Sequence, residues 1–142
     1  MSPVAAKNAV WGGLMSAGAQ ARKTLGVVIS GRCRDIQEHN SLGYPVFSRG
    51  YSTLGQSPFT RPSAINVPLE IYLQGAEETF PAVTVHPGDY IVADVNGVVC
   101  VPQKVIQKVV ETARKGKEVD ERCMKDIKAG KGIQVTFKTH RG

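Results

Sequence analysis

The stretch from Gly12 to Glu38 constrains this chain more than any other, because it sets a glycine pair, a short apolar run and three charged side chains in close order. It reads Gly-Gly-Leu-Met-Ser-Ala-Gly-Ala-Gln-Ala-Arg-Lys-Thr-Leu-Gly-Val-Val-Ile-Ser-Gly-Arg-Cys-Arg-Asp-Ile-Gln-Glu. Gly12-Gly13 permits a sharp backbone turn, after which Leu14, Ala17, Gly18, Ala21 and Leu25 recur at helical spacing, with small residues allowing close packing. A helix starting there has unpartnered amides at its positive end, so Gly12, Gly13, Leu14 and Met15 form a candidate anion site. A plain loop-to-helix turn fits the same residues. Val27-Val28-Ile29, β-branched and bounded by Gly26 and Gly31, predicts a buried strand that delivers Arg32, Cys33, Arg34 and Asp35 into a loop. Ligands of open α/β sheets collect at that end of the strands. With helix and strand as neighbours, the glycine amides, Arg34 and Asp35 converge where a carboxylate can be gripped and a hard cation held. Asp35 followed by Glu38 is equally the capping-box pattern of a helix start. The two readings are compatible, since one carboxylate oxygen can serve a helix and the other a metal.

With 142 residues, 42% of them apolar, the expectation is one domain over 1–142, with 1–10 as a loose lead-in and 103–142 as a C-terminal helical region. No apolar run approaches the ~20 residues of a membrane span. The first residues lack the basic start and apolar core of a secretory signal, so the chain reads as cytoplasmic, without membrane partners. Cys33, Cys100 and Cys123 contain no Cys-x-x-Cys pair and suggest reduced thiols rather than a disulfide framework or a zinc knuckle. Cys33 between Arg32 and Arg34 has the setting of an activated thiol, but no histidine base accompanies it. Residues 1–102 carry seven basic and seven acidic side chains and residues 103–142 eleven and five. That basic excess has acidic residues mixed in and no interleaved aromatics, so it reads as a solvated helical face and not as a nucleic-acid site.

Along the remaining chain, the residues around Glu38 to Ser41 form a short helical turn, and Val46-Phe47 a second buried strand. The segment 48–64, rich in Ser, Thr, Gly and Pro with turns at Pro58 and Pro62, is a functional or interfacial loop in which Arg49 and Arg61 are surface charges. Ile65 to Leu73 is a strand interrupted by Pro68. Gln74 to Ala82, with Glu77-Glu78, is a surface excursion. Val83 to Val85, Tyr90 to Asp94 and Val98 to Val101 form a β-meander, closed at Asn96-Gly97 by a hairpin. His86, beside a proline-glycine turn, is structural, and Asp89 and Asp94 are turn or strand-end carboxylates. Pro102 opens a helix with Val105, Ile106, Val109, Val110 and Ala113 on one face, ending at Lys115-Gly116-Lys117. A second helix runs from Glu118 to Ala129, and Gly130 and Gly132 close it.

Gly13, Arg34-Asp35 and Glu38 at these spacings resemble the signature of the class II pyruvate aldolases, the 4-hydroxy-4-methyl-2-oxoglutarate aldolases, in the superfamily of the regulator of ribonuclease activity A. Trp11-Gly12-Gly13-Leu14-Met15, Gly43-Tyr44-Pro45-Val46-Phe47, Asn66-Val67-Pro68, Pro87-Gly88-Asp89, Ala93-Asp94, Gly97-Val98-Val99 and Val101-Pro102 agree in the same order. The resemblance runs from about Asn8 to Pro102. It implies a swivelling β/β/α domain with a mixed sheet and C-terminal helices, a homotrimer, and a small oxo-acid substrate. It further implies an Mg2+- or Mn2+-dependent lyase that performs retro-aldol cleavage and oxaloacetate decarboxylation through one pyruvate enolate. In that family Asp35 would ligate the metal and Glu38 would steady its waters. Arg34 and the amides of Gly12 to Met15 would hold the pyruvyl group. An acidic residue of a neighbouring subunit would complete the set, with Glu118 the first candidate and Glu111 the second. Members usually carry a substantial segment before Trp-Gly-Gly, so the expectation is an N-terminally truncated form. The rival class is a non-catalytic relative that binds and regulates a ribonuclease; a third is an inactive pseudoenzyme.

Overall fold

Strand β1 (Ala9–Trp11), helix α1 (Gly13–Ala21), strand β2 (Val27–Cys33), helix α2 (Ile36–Leu42) and strand β3 (Val46–Tyr51) follow one another in the computed structural model, which describes residues 1–57, 59–72 and 81–142. The three strands form one sheet in the order β1-β2-β3, both neighbouring pairs parallel. Parallel neighbours need a crossover, and each of the two helices supplies one. Ile29, Ala9 and Cys33 are buried in this sheet, and α1 and α2 pack on each other through Ser16 and His39, also buried.

The region departs from the periodicity reading in three ways. Leu14 and Leu25 stand 91% and 92% exposed, and Ala17, Gly18 and Ala21 are exposed as well, while Gly13 and Ser16 are buried. The buried face of α1 is thus its small and polar one, because the contact with α2 is closer than a leucine allows. The strand runs on through Arg32 and Cys33, which pair with Gly50 and Tyr51 of β3, so only Arg34 and Asp35 enter the loop. Residues 9–11 are a strand rather than a loose lead-in: Ala9 and Trp11 pair with Arg32 and Cys33.

Helix α2 ends at Gly43, whose φ of 59° is a left-handed conformation that favours glycine. The Gly43 and Tyr44 amides close back on the Asn40 and His39 carbonyls at 3.0 and 3.1 Å. Beyond β3, the strand expected over 65–73 covers, among the described residues, β4 (Leu69–Ile71), antiparallel to β5 (Val83–Val85). Strands β6 (Tyr90–Asp94) and β7 (Gly97–Val101) make a separate two-stranded sheet, so the expected meander is two pairs. The β6-β7 turn forms at Val95-Asn96, where Asp94 Oδ1 accepts the Asn96 amide at 2.7 Å. The turn at Pro58, the strand end at Leu73 and the Glu77-Glu78 excursion lie outside the described residues.

Residues Met1–Pro87 with Ala93–Val98 cluster as one compact unit, and Gly88–Val92 with Val99–Gly142 as another. In the second, a 3-10 turn (Gln103–Val105) leads into α3 (Ile106–Lys128), followed by α4 (Ile133–His140). Helix α3 passes uninterrupted through Gly116, where two helices were expected, because one mid-helix glycine costs only about 1 kcal/mol against a 23-residue helix. Helix α4, which follows Gly132, had no separate signal in the sequence. Thr136 and Cys123 are buried where α3 and α4 pack. Asp126 takes Lys131 and His140, each at 2.9 Å, and Arg141 reaches Asp120 at 2.6 Å while lying 4.2 Å over the Phe137 ring. The architecture is mixed α/β with C-terminal helices.

Candidate functional site

Because β1 and β2 are parallel neighbours with Trp11 opposite Cys33, the residues that follow them emerge side by side. Gly12-Gly13 leaves one strand and Arg34-Asp35 the other, both at the C-terminal edge of the sheet where ligands gather. The Arg34 amide donates to the Trp11 carbonyl at 3.0 Å, extending the pairing one residue past the strands. Gly13 N–H then donates to Asp35 Oδ2 at 3.0 Å.

That contact overturns the reading of Asp35 as the cap of its own helix. It heads α2 but makes no side-chain cap there, and its backbone is left-handed, with φ 61° and ψ 48°. The twist turns its carboxylate away from α2 and onto the first amide of α1, so Asp35 caps the neighbouring helix. A non-glycine residue in this region costs on the order of 1–3 kcal/mol, and such strain gathers at functional sites. With Oδ2 on Gly13, Asp35 Oδ1 makes no hydrogen bond among the described residues, and the side chain is 35% exposed.

Arg34 Nε lies 3.5 Å from the same Oδ2, which leaves the terminal guanidinium nitrogens for other partners. Two glycines make room for it: a Cβ on Gly12 would stand 3.1 Å from Arg34 Nε and 2.6 Å from Asp35 Oδ2, and one on Gly55 would stand 3.3 Å from Arg34 Nη1. Gly13 is equally confined, since a Cβ there would fall 2.8 Å from Glu38 Cβ. The signature glycines are therefore required by close approach. Gly55, which no motif pointed to, is less confined, because its neighbour at 3.3 Å is the far end of a flexible side chain.

Of the four amides proposed as an anion site, Gly13 is engaged by Asp35 and Met15 by the Gly12 carbonyl at 3.0 Å. Leu14 N–H has no acceptor among the described residues. Gly12, Gly13, Arg34, Asp35 and Glu38 are thus brought together, with Leu14 and Met15 on the outer face of the first turn. Glu118 and Glu111 belong to α3 in the second unit. Cys33 is buried with its thiol 3.2 Å from Ser48 Oγ, which removes it from the exposed setting a nucleophile needs. Among the described residues no three His, Cys, Asp or Glu side chains cluster as a metal cage. The site suits a hard cation that keeps most of its waters, as magnesium does: one open carboxylate oxygen at Asp35 and a second carboxylate one helical turn on at Glu38.

The residues 3–100 match the RraA-like family, described as Aldolase/RraA. This chain belongs to that family. A crystal structure of an uncharacterised protein from Pseudomonas syringae pv. tomato superposes with a TM-score of 0.80 at 33% identity, covering 91% of this chain and 60% of that one. A protein of Halalkalibacterium halodurans named "Putative 4-hydroxy-4-methyl-2-oxoglutarate aldolase" is 35% identical over 102 residues, 70% of this chain and 44% of its own. RraAS2 of Streptomyces coelicolor, an unusual member of the RNase ES inhibitor RraA protein family, gives a TM-score of 0.69 at 27% identity over 82% of this chain and 55% of that one. The chain therefore spans between 44% and 60% of the length of these three proteins. No helix among the described residues is long and apolar enough to cross a membrane.

Proposed function

We propose that this RraA-like chain is a divalent-metal-dependent lyase that cleaves or decarboxylates pyruvate-containing oxo-acids, 4-hydroxy-4-methyl-2-oxoglutarate by retro-aldol cleavage and oxaloacetate by decarboxylation. The observation that carries this reading is the meeting of Gly12-Gly13 with Arg34-Asp35 at the ends of two adjacent parallel strands, joined by the 3.0 Å bond from Gly13 to Asp35. The name of the Halalkalibacterium relative supports the reaction class.

Arg34 offers its terminal nitrogens as a planar fork to the substrate carboxylate, a grip that positions as well as neutralises. Its Nε stays beside Asp35, 3.5 Å from Oδ2. The Leu14 amide, at the positive end of α1, faces negative charge favourably and is placed to stabilise the oxygen on which enolate charge develops. Asp35 would hold Mg2+ or Mn2+ through Oδ1, and Glu38 would hold its waters, with Glu118 of a neighbouring subunit in a trimer as a further water-holding carboxylate. When bound, the cation supplies Lewis-acid stabilisation of that developing charge. Both reactions need the same stabilisation, so one arrangement of Arg34, Asp35 and the α1 terminus serves both.

Pyruvate release from oxaloacetate and from 4-hydroxy-4-methyl-2-oxoglutarate, with magnesium or with chelator, tests the proposal on folded wild type, Asp35→Ala and Arg34→Lys. Asp35→Ala should abolish both activities together. Arg34→Lys should retain metal binding and lose most of the rate, because an ammonium cannot reproduce the bidentate grip. Chelator-insensitive turnover or an active Asp35→Ala protein would sink the mechanism. The similarity to RraAS2 favours a second reading, a non-catalytic protein that binds and regulates a ribonuclease. A folded wild type with no turnover on either substrate would favour it.

A further inference from the structure

Behind the site, α1 and α2 are joined by a buried contact that the mechanism above does not use. Trp11 Nε1 lies 2.8 Å from Ser16 Oγ, and Ser16 Oγ lies 3.0 Å from His39 Nδ1. Ser16 is fully buried and His39 is 3% exposed. An indole N–H can only donate, so Ser16 Oγ is the acceptor of the first link. With Ser16 shut off from solvent, His39 Nδ1 is the one partner among the described residues that can take its hydroxyl proton. In that direction Nδ1 is the acceptor, while Nε2 is buried and without a partner among the described residues.

Each member of this chain is also tied to the site through the backbone. Trp11 precedes Gly12, and its carbonyl accepts the Arg34 amide. The Ser16 amide donates to the Gly12 carbonyl at 3.2 Å, and the His39 amide to the Asp35 carbonyl at 3.2 Å. Two bridges therefore span the helices near the site, Gly13 to Asp35 at the surface and Ser16 to His39 beneath it. A third, from Gln20 Nε2 to the Leu42 carbonyl at 2.9 Å, lies at the far ends.

We propose that Trp11, Ser16 and His39 form a one-directional hydrogen-bond relay that sets the spacing between the α1 N-terminus and Asp35, making His39 and Ser16 positioning residues for the site. As an account of catalysis this rests on the lyase reading, but the relay is observable without turnover. A buried chain of hydrogen bonds resists sliding of one helix on the other, because a shift breaks its links, whereas an apolar contact tolerates it. A displacement of about 1 Å at a reacting group is enough to cost on the order of a hundredfold in rate.

The test combines NMR with kinetics on the full chain. In wild type, the imidazole 15N spectrum should show His39 with an unprotonated Nδ1 and a protonated Nε2, and the Gly13 amide should be slow to exchange. Ser16→Ala removes one oxygen atom and keeps the backbone bond to Gly12; Gly13 exchange should accelerate and kcat fall about ten- to a hundredfold with KM little changed. His39→Leu should behave alike, and His39→Asn, which can present an acceptor oxygen near the Nδ1 position, should recover most of both readouts. A protonated Nδ1 in wild type, or Gly13 exchange unchanged in Ser16→Ala, would overturn the relay. If wild type has no turnover, the lyase reading fails while the tautomer and the Gly13 amide still decide the relay. If His39→Leu does not fold, Ser16→Ala decides it.

Discussion

Gly13 has a helical role and a spatial one, and only the spatial one forbids a side chain. Its missing Cβ would lie 2.8 Å from Glu38 Cβ, inside any van der Waals distance, and Glu38 sits on a helix that cannot yield without moving Asp35. Gly13→Ala should therefore cost on the order of 1–3 kcal/mol in stability, as overpacking does. It should also lower activity in the fraction that remains folded. Urea unfolding alongside pyruvate release measures both, and a fully stable, fully active alanine variant would refute the close-approach account. Glycine, arginine and aspartate at these positions were legible as candidates from their order in the chain. That Asp35 caps α1 rather than α2 was not, because a capping-box pattern specifies residue types and is silent about a left-handed backbone that turns the carboxylate toward a different helix.

At the scale of elements, two predictions concern the α3 and α4 helices. Gly116 lies within α3 with no atom closer than 4 Å to the place of its missing Cβ. Gly116→Ala should raise stability by about 0.5–1 kcal/mol through the restricted unfolded chain; a thermal midpoint that falls would contradict an uninterrupted helix. Asp126 is held below the usual carboxylate range, chiefly by its bond to Lys131 and then by that to His140. A carboxylate depressed in the folded state contributes stability above its unfolded pKa and loses it as pH falls through the lower, folded value. Hydrogen-exchange protection of α4 should thus persist at neutral pH and decline only below the ordinary carboxylate range, and Asp126→Asn should remove that step. The sequence marked α3 as amphipathic, but it suggested a break at Lys115-Gly116-Lys117. Local propensity at one glycine was outweighed by the cooperative length of the helix on either side.

For the molecule as a whole, the exposure of Leu14, Leu25, Ile65 and Val95, between 89% and 100%, is the feature that bears on association. Exposed apolar side chains favour self-association where they gather into a patch. In light scattering the chain is expected to form mixed assemblies with trimer formation impaired; a clean, monodisperse trimer would refute this. The sequence alone offered the candidate site residues and determined the order α1, β2, α2, β3, the β6-β7 hairpin and the mixed α/β class, because glycine pairs, β-branched runs and turn residues act through local sterics. Only the tertiary structure decided that Trp11 and Cys33 pair, that Gly13 therefore meets Asp35, and that α1 buries Ser16 against His39 while its leucines face outward. Those outcomes depend on which strand lies beside which and how closely two helices approach, and a residue pattern read along one chain contains neither distance.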